Sequence, residues 1–140
     1  MVRKKIVEFL IKTGKLSDSQ HGFRSGRSTL SQLLAHFDKI LKGLERGDDV
    51  NVVYLDFAKA FDKVDFGVVL KKLKSVGIRG KLGLWIHCFL TGRTQKVVVG
   101  GASSSIKEVI SGVPQGSVLG PLIFLIMIGD IDKSVLTAFL

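Results

Sequence analysis

The stretch Val50-Asn-Val-Val-Tyr-Leu-Asp-Phe-Ala-Lys-Ala-Phe-Asp-Lys-Val-Asp65 restricts the possible folds more than any other part of the chain. Val50, Val52, Val53, Tyr54 and Leu55 are β-branched, aromatic or aliphatic, with only Asn51 between them. That pattern predicts a strand covered on both faces. The run stops at a carboxylate, Asp56. A charge at the end of a covered strand is costly unless a cation, a metal ion or a set of donors compensates it. A plain N-cap for the following turn is the simpler use of the same residue. Two further acids follow at Asp62 and Asp65.

The chain has 140 residues, enough for one domain with a core and too few for two ordinary ones. A hydrophobic content of 46% argues for a packed body rather than a disordered one. Twenty-one Lys and Arg against twelve Asp and Glu leave a net charge of +9, which favours a polyanionic partner such as nucleic acid. One cysteine, Cys88, excludes an internal disulfide and a thiolate zinc site. His21, His36 and His87 lack metal-ligand spacing and read as ordinary residues. The longest apolar run, residues 118–128, is interrupted by Gly120 and Pro121 and is too short to span a bilayer. The N-terminus resembles a signal peptide only in its first residues, since Glu8 and Lys12 break the apolar part. A reducing, intracellular setting is the expectation, with nucleus and cytoplasm both open.

Helical spacing is clear in four places before the last third of the chain. Ile6, Val7, Leu10 and Ile11 predict a helix over residues 2–13, closed by Gly14. Leu30, Leu33, Leu34, Phe37, Ile40, Leu41 and Leu44 form the core-facing stripe of a second helix ended by Gly47. Ser28 or Thr29 can cap that helix, Thr29 with Gln32 as a capping-box pair. A third helix over residues 66–76 turns Val69, Leu70, Leu73 and Val76 inward and Lys71, Lys72 and Lys74 outward, with Asp65 as its N-cap. The lysines suit either a solvated face or a nucleic-acid backbone. A fourth, residues 81–90, carries Leu82, Trp85, Ile86 and Phe89. Residues 95–99 and 107–111 predict a hairpin turning at Gly100-Gly101 with a serine-rich tip. Pro121 suits the first turn of a covered helix carrying Leu122, Phe124, Leu125 and Ile128.

Between hairpin and last helix lies Ser111-Gly-Val-Pro-Gln-Gly-Ser-Val-Leu-Gly-Pro-Leu122, where glycines and prolines flank a single amide side chain, Gln115. Glycines permit close approach of a ligand, and prolines fix the path. This loop, Gly22-Phe-Arg-Ser-Gly-Arg-Ser-Thr29 and Leu55-Asp-Phe-Ala-Lys-Ala-Phe-Asp62, in this order and spacing, closely resemble the reverse transcriptase domain of non-LTR retrotransposons. The resemblance runs from about residue 16 to residue 131. Each motif alone is weak to moderate evidence; three in order are strong.

The resemblance implies an α+β fold: partial fingers and palm of a right-hand polymerase, helix-rich with a small antiparallel sheet and an incomplete palm. Residues 1–49 would be fingers-like and 50–140 palm-like, in a single partial domain. It implies an RNA-directed DNA polymerase, using an RNA template, a DNA primer and deoxynucleoside triphosphates. Nucleotidyl transfer of this kind uses two Mg²⁺ ions about 3.5–4 Å apart, which need hard oxygen ligands. Asp56 then stands at the place of the first catalytic carboxylate, with the backbone carbonyl of Phe57 as its companion metal ligand. Phe61 matches the bulky residue under the incoming sugar. Gln115 and Gly116 match the loop lining the nucleotide pocket. Arg24 and Arg27 match the fingers, where guanidinium groups suit phosphates. Lys71, Lys72 and Lys74 are candidate nucleic-acid contacts. Asp62 is expected to hold the turn rather than bind metal.

The family's paired-aspartate box is not found. No Asp-Asp follows Ile128, Asp130 and Asp132 are separated by one residue, and Asp48-Asp49 precedes the expected strand. The thumb and any endonuclease are likewise expected to be absent. The expectation is a marginally folded polymerase fragment, inactive by itself, whose strand at residues 50–55 has lost its pairing hairpin. The alternative is a non-catalytic RNA-binding or structural remnant. A haloacid-dehalogenase-type phosphotransferase is excluded by Ala58, and a P-loop NTPase by the lack of its glycine-lysine motif.

Overall fold

The computed structural model describes residues 1–131; Asp132, weighed above as a possible carboxylate, lies outside them. The fold is α+β and helix-rich, as expected. Its elements are α1 (Val2–Lys12), α2 (Thr29–Glu45), α3 (Phe66–Ser75), α4 (Gly80–Leu90), β1 (Thr94–Gln95), β2 (Val98–Val99), β3 (Ala102–Ser103), β4 (Lys107–Glu108) and α5 (Gly120–Ile128).

The centre is α5. Its Leu122, Ile123, Phe124, Leu125 and Ile126 are all buried, so it has no polar face to offer water. Burying each such side chain is worth roughly 1.5–3 kcal/mol, which drives the helix inward whatever its propensity. Pro121 sits in the first turn, where its missing N–H costs nothing. Against α5 packs α3, through Val69 and Leu73, with α4 supplying Ile86 and Leu90 and α1 supplying Ile6 and Leu10 to the same core. Asp65 caps α3 by accepting the Val68 N–H at 2.8 Å.

The strands form one irregular hairpin. Val99 pairs with Ala102 around Gly100 (φ 56) and Gly101 (φ 84), both left-handed as a two-residue turn of primed type requires. The outer pair is Thr94 with Glu108 and Gln95 with Lys107. Between the two pairs, Lys96 and Val97 face three residues, 104–106, so the second strand carries a bulge. Ser104 covers the mismatch: its N–H donates to Val97 O at 2.9 Å and its Oγ accepts the Val97 N–H at 3.0 Å. This bulge divides the ladder into two short sheets.

Three expectations need correction. Residues 50–55 are not a covered strand: no strand among the described residues pairs with them, and Val53, Tyr54 and Leu55 are 79%, 79% and 80% exposed. A strand exists only through a neighbour, and the hairpin pairs with itself instead. The segment lies along α2, with Val50 against Gly43 and the Tyr54 hydroxyl 3.0 Å from His36 Nε2. Second, the stripe of α2 is not core. Leu30, Leu33, Leu34, Phe37, Leu41 and Leu44 are all exposed, because no sheet among the described residues lies across from them. Third, of the two offered caps Ser28 is the one used, and the capping box is Ser28 with Ser31 rather than Thr29 with Gln32, each side chain bonding the other's backbone N–H.

Candidate functional site

The Phe-Asp turn and the proline-glutamine loop are sewn together backbone to backbone. Gly112 N donates to Val64 O at 2.8 Å and Val113 N to Phe61 O at 2.9 Å. Ser111 Oγ donates to Asp62 O at 2.9 Å, and Gln115 Nε2 donates to Asp62 Oδ1 at 2.9 Å. Such closeness depends on Gly112, whose φ is 86 and where a Cβ would stand 2.8 Å from Asp62 O. Asp62 is therefore a turn-holding residue, as its spacing suggests, and its carboxylate meets the one amide of the loop.

Aromatic rings join the remaining pieces. Phe61 stacks at a tilt on Phe124 of α5 at 5.1 Å, and Phe57 meets Phe124 edge-on at 6.1 Å. From the first loop, Phe23 meets Phe61 edge-on at 6.1 Å. All three sequence motifs thus converge around Phe61. Beside the seam is a cavity of about 590 Å³ lined by Asp62, Arg93, Gln95, Glu108, Ser111 and Gln115, among others.

Arg93 was not singled out by the sequence, yet it locks one wall of this cavity. Its Nε donates to Leu90 O at 2.7 Å and its Nη2 to Gly112 O, while the guanidinium lies 5.7 Å from the centre of the Phe66 ring. The available signal was modest: an arginine just past the C-terminus of an apolar helix, where free carbonyls need donors.

The other expected residues separate by environment. Arg24 is turned inward: its side chain is 9% exposed and its Nη1 donates to Ser17 O at 2.7 Å and Gln20 O at 3.2 Å. Arg27 is half-buried, with Nη2 3.2 Å from Asp18 Oδ1 and Nη1 3.0 Å from His21 Nε2. A guanidinium only donates, so His21 Nε2 accepts and Nδ1 carries the proton toward Ser31 Oγ, 2.8 Å away. Lys71 and Lys74 are exposed, whereas Lys72 is paired with Asp130 at the end of α5 and is not a free cation. Gln115 and Gly116 are exposed at the loop tip. Asp56 is exposed too, and it does not line the cavity.

Among the described residues no group of three His, Cys, Asp or Glu side chains could hold a metal ion. Asp56 with the adjacent Phe57 carbonyl could offer oxygens to a hard divalent cation only if further ligands came from outside these residues. No helix among the described residues is long and apolar enough to cross a membrane.

Seam, hairpin and central helix make a helix-rich α+β arrangement of the kind expected for a partial fingers and palm. The family model for reverse transcriptase (RNA-dependent DNA polymerase) matches residues 1–139, and the chain belongs to that family. It is similar to the probable RNA-directed DNA polymerase from transposon X-element of Drosophila melanogaster, 33% identical over 95% of this chain and 14% of that protein. The RNA-directed DNA polymerase from mobile element jockey of Drosophila funebris is 38% identical over 81% of this chain and 12% of its own length. The retrovirus-related Pol polyprotein from type-1 retrotransposable element R2 of Popillia japonica is 31% identical over 71% and 16%. These relatives are of the non-LTR retrotransposon kind. The chain spans between 12% and 16% of the length of these three relatives.

Proposed function

We propose that these residues form the nucleotide-facing part of an RNA-directed DNA polymerase, with residues 1–49 on the fingers side and 50–140 on the palm side. The observation that carries this reading is the junction at Phe61 and Asp62, where the three motifs meet through Phe23, Phe124 and Gln115. The chemistry would be template-directed nucleotidyl transfer with two Mg²⁺ ions, which when bound would supply charge neutralisation at the phosphates and activation of the primer hydroxyl. Asp56 and the Phe57 carbonyl would hold one ion together with the triphosphate. Phe61 lies under the sugar, and Gln115 and Gly116 meet the base and backbone of the nucleotide.

Of the two arginines, Arg27 is the phosphate donor, since its side chain is the more exposed, 31% against 9% for Arg24, which shapes the loop that carries it. Lys71 and Lys74 offer charge to the template–primer backbone, a role Lys72 shares only when released from Asp130. On this reading the 140 residues would supply one carboxylate, Asp56, to the metal and are expected to bind rather than to polymerise.

The test is binding of an RNA–DNA hybrid by the 140-residue chain, followed across salt, beside Mg²⁺-dependent primer extension. The reading expects binding that weakens steeply with salt, a log–log slope reduced by about one for each of Lys71→Ala and Lys74→Ala, and no extension. Binding that ignores both salt and these lysines contradicts it. Extension by the chain alone would overturn the expectation of inactivity.

A further inference from the structure

Two non-glycine residues among those described have left-handed backbone, Phe23 (φ 57) and Lys59 (φ 55), one in contact with Phe61 and the other two residues before it. Lys59 shapes the turn, its carbonyl accepting the Asp62 and Lys63 N–H groups at 3.0 Å each. Phe23 approaches from the other side, its ring edge-on to Phe61 at 6.1 Å. A bulky residue at positive φ is strained and persists only where its surroundings hold it there. The restraint comes from α1: Arg3 Nη2 donates to Phe23 O at 2.9 Å. Phe23 is nevertheless 51% exposed, so burial does not account for the strain. Its ring instead closes one side of Phe61, while Phe124 closes another at 5.1 Å.

We propose that Phe23 is a positioning residue that fixes the Phe61 ring and so sets the preference of the pocket for deoxyribose over ribose. This rests on the reading of Phe61 as the residue beneath the sugar. A ring that discriminates a hydrogen from a hydroxyl must not rotate or retreat, because a displacement of about 1 Å is enough to admit the larger group. Phe124, tilted against Phe61 at 5.1 Å, supports the ring from the core. Phe23, held by Arg3, prevents the ring from swinging toward the first loop.

The experiment compares Mg²⁺-dATP with Mg²⁺-ATP, which differ only at the 2′ position, in equilibrium titrations of the 140-residue chain. The parent chain is expected to favour dATP. Phe23→Gly removes ring and strain together, so it is expected to keep the melting temperature within about 5 °C while the dATP-to-ATP affinity ratio falls about threefold or more. Phe23→Tyr keeps the ring and is expected to restore the ratio. Arg3→Ala, which frees the Phe23 carbonyl, is expected to lower the ratio in the same direction. Should Phe23→Gly fail to fold, Phe23→Leu, which keeps bulk without an aromatic edge, carries the same test. A ratio unchanged in the glycine or leucine variant overturns the proposal while leaving the reading of Phe61 intact. A parent chain that binds both nucleotides equally, or neither, overturns that reading and the proposal with it. Independently, a urea-denaturation cycle with Phe23→Leu and Phe61→Leu is expected to show coupling of about threefold in the unfolding constant; additive effects would contradict the contact.

Discussion

Gly112 and Gln115 show how single residues divide structure from function at this seam. Gly112→Ala places a Cβ against Asp62 O and strains a positive φ, and it is expected to cost about 1–3 kcal/mol in a urea melt. Gln115→Ala removes one exposed hydrogen bond, so its cost in the same melt is expected to stay below about 1 kcal/mol while Mg²⁺-dATP affinity falls several-fold. Arg93→Lys cannot reproduce a fork that serves Leu90 O and Gly112 O together, and it is expected to behave more like the glycine variant than the glutamine one. These roles were unequally legible. Asp62 and the proline-glutamine loop could be singled out from spacing and composition, because a lone amide among glycines and prolines is rare. Arg93 left only the modest signal of an arginine after a helix end, since its second partner, Gly112 O, is set by tertiary structure. Arg24 and Arg27 look alike in sequence; only the carbonyls of Ser17 and Gln20 distinguish them.

Elements whose stability is local were readable, and those that depend on a distant neighbour were not. Asp65 caps α3, and Asp65→Ala is expected to cost about 1 kcal/mol, read by urea denaturation. The turn at Gly100-Gly101 and the buried α5 likewise follow from residues next to one another. Leu125→Ala in α5 is expected to cost about 2–5 kcal/mol, the range for a fully covered leucine. Residues 50–55 and α2 are the opposite case. Their apolar patterns were plain, but a pattern records what a segment can bury, not what is there to cover it. The two lie against each other at Val50 with Gly43 and Tyr54 with His36, and their outward faces stay in water. The bulge at residues 104–106 was also invisible, since a serine side chain replacing a carbonyl leaves no periodic trace.

For the molecule as a whole, one buried cluster built on α5 carries the fold while a long apolar surface remains exposed on α2 and residues 50–55. Large exposed apolar surfaces favour association and lower the gain from folding. The 140-residue chain is accordingly expected to melt below about 45 °C by circular dichroism, and a cooperative transition well above that would count against this balance. The basic excess of +9 is expected to keep it bound to anionic material at low salt. The central claim is that three separated motifs make a single nucleotide pocket, and a titration of the ¹⁵N-labelled chain with Mg²⁺-dATP tests it residue by residue. Amides at residues 23–27, 56–62, 112, 113, 115 and 116 should shift together with one dissociation constant. Shifts confined to one motif, or motifs that respond with separate constants, would contradict it.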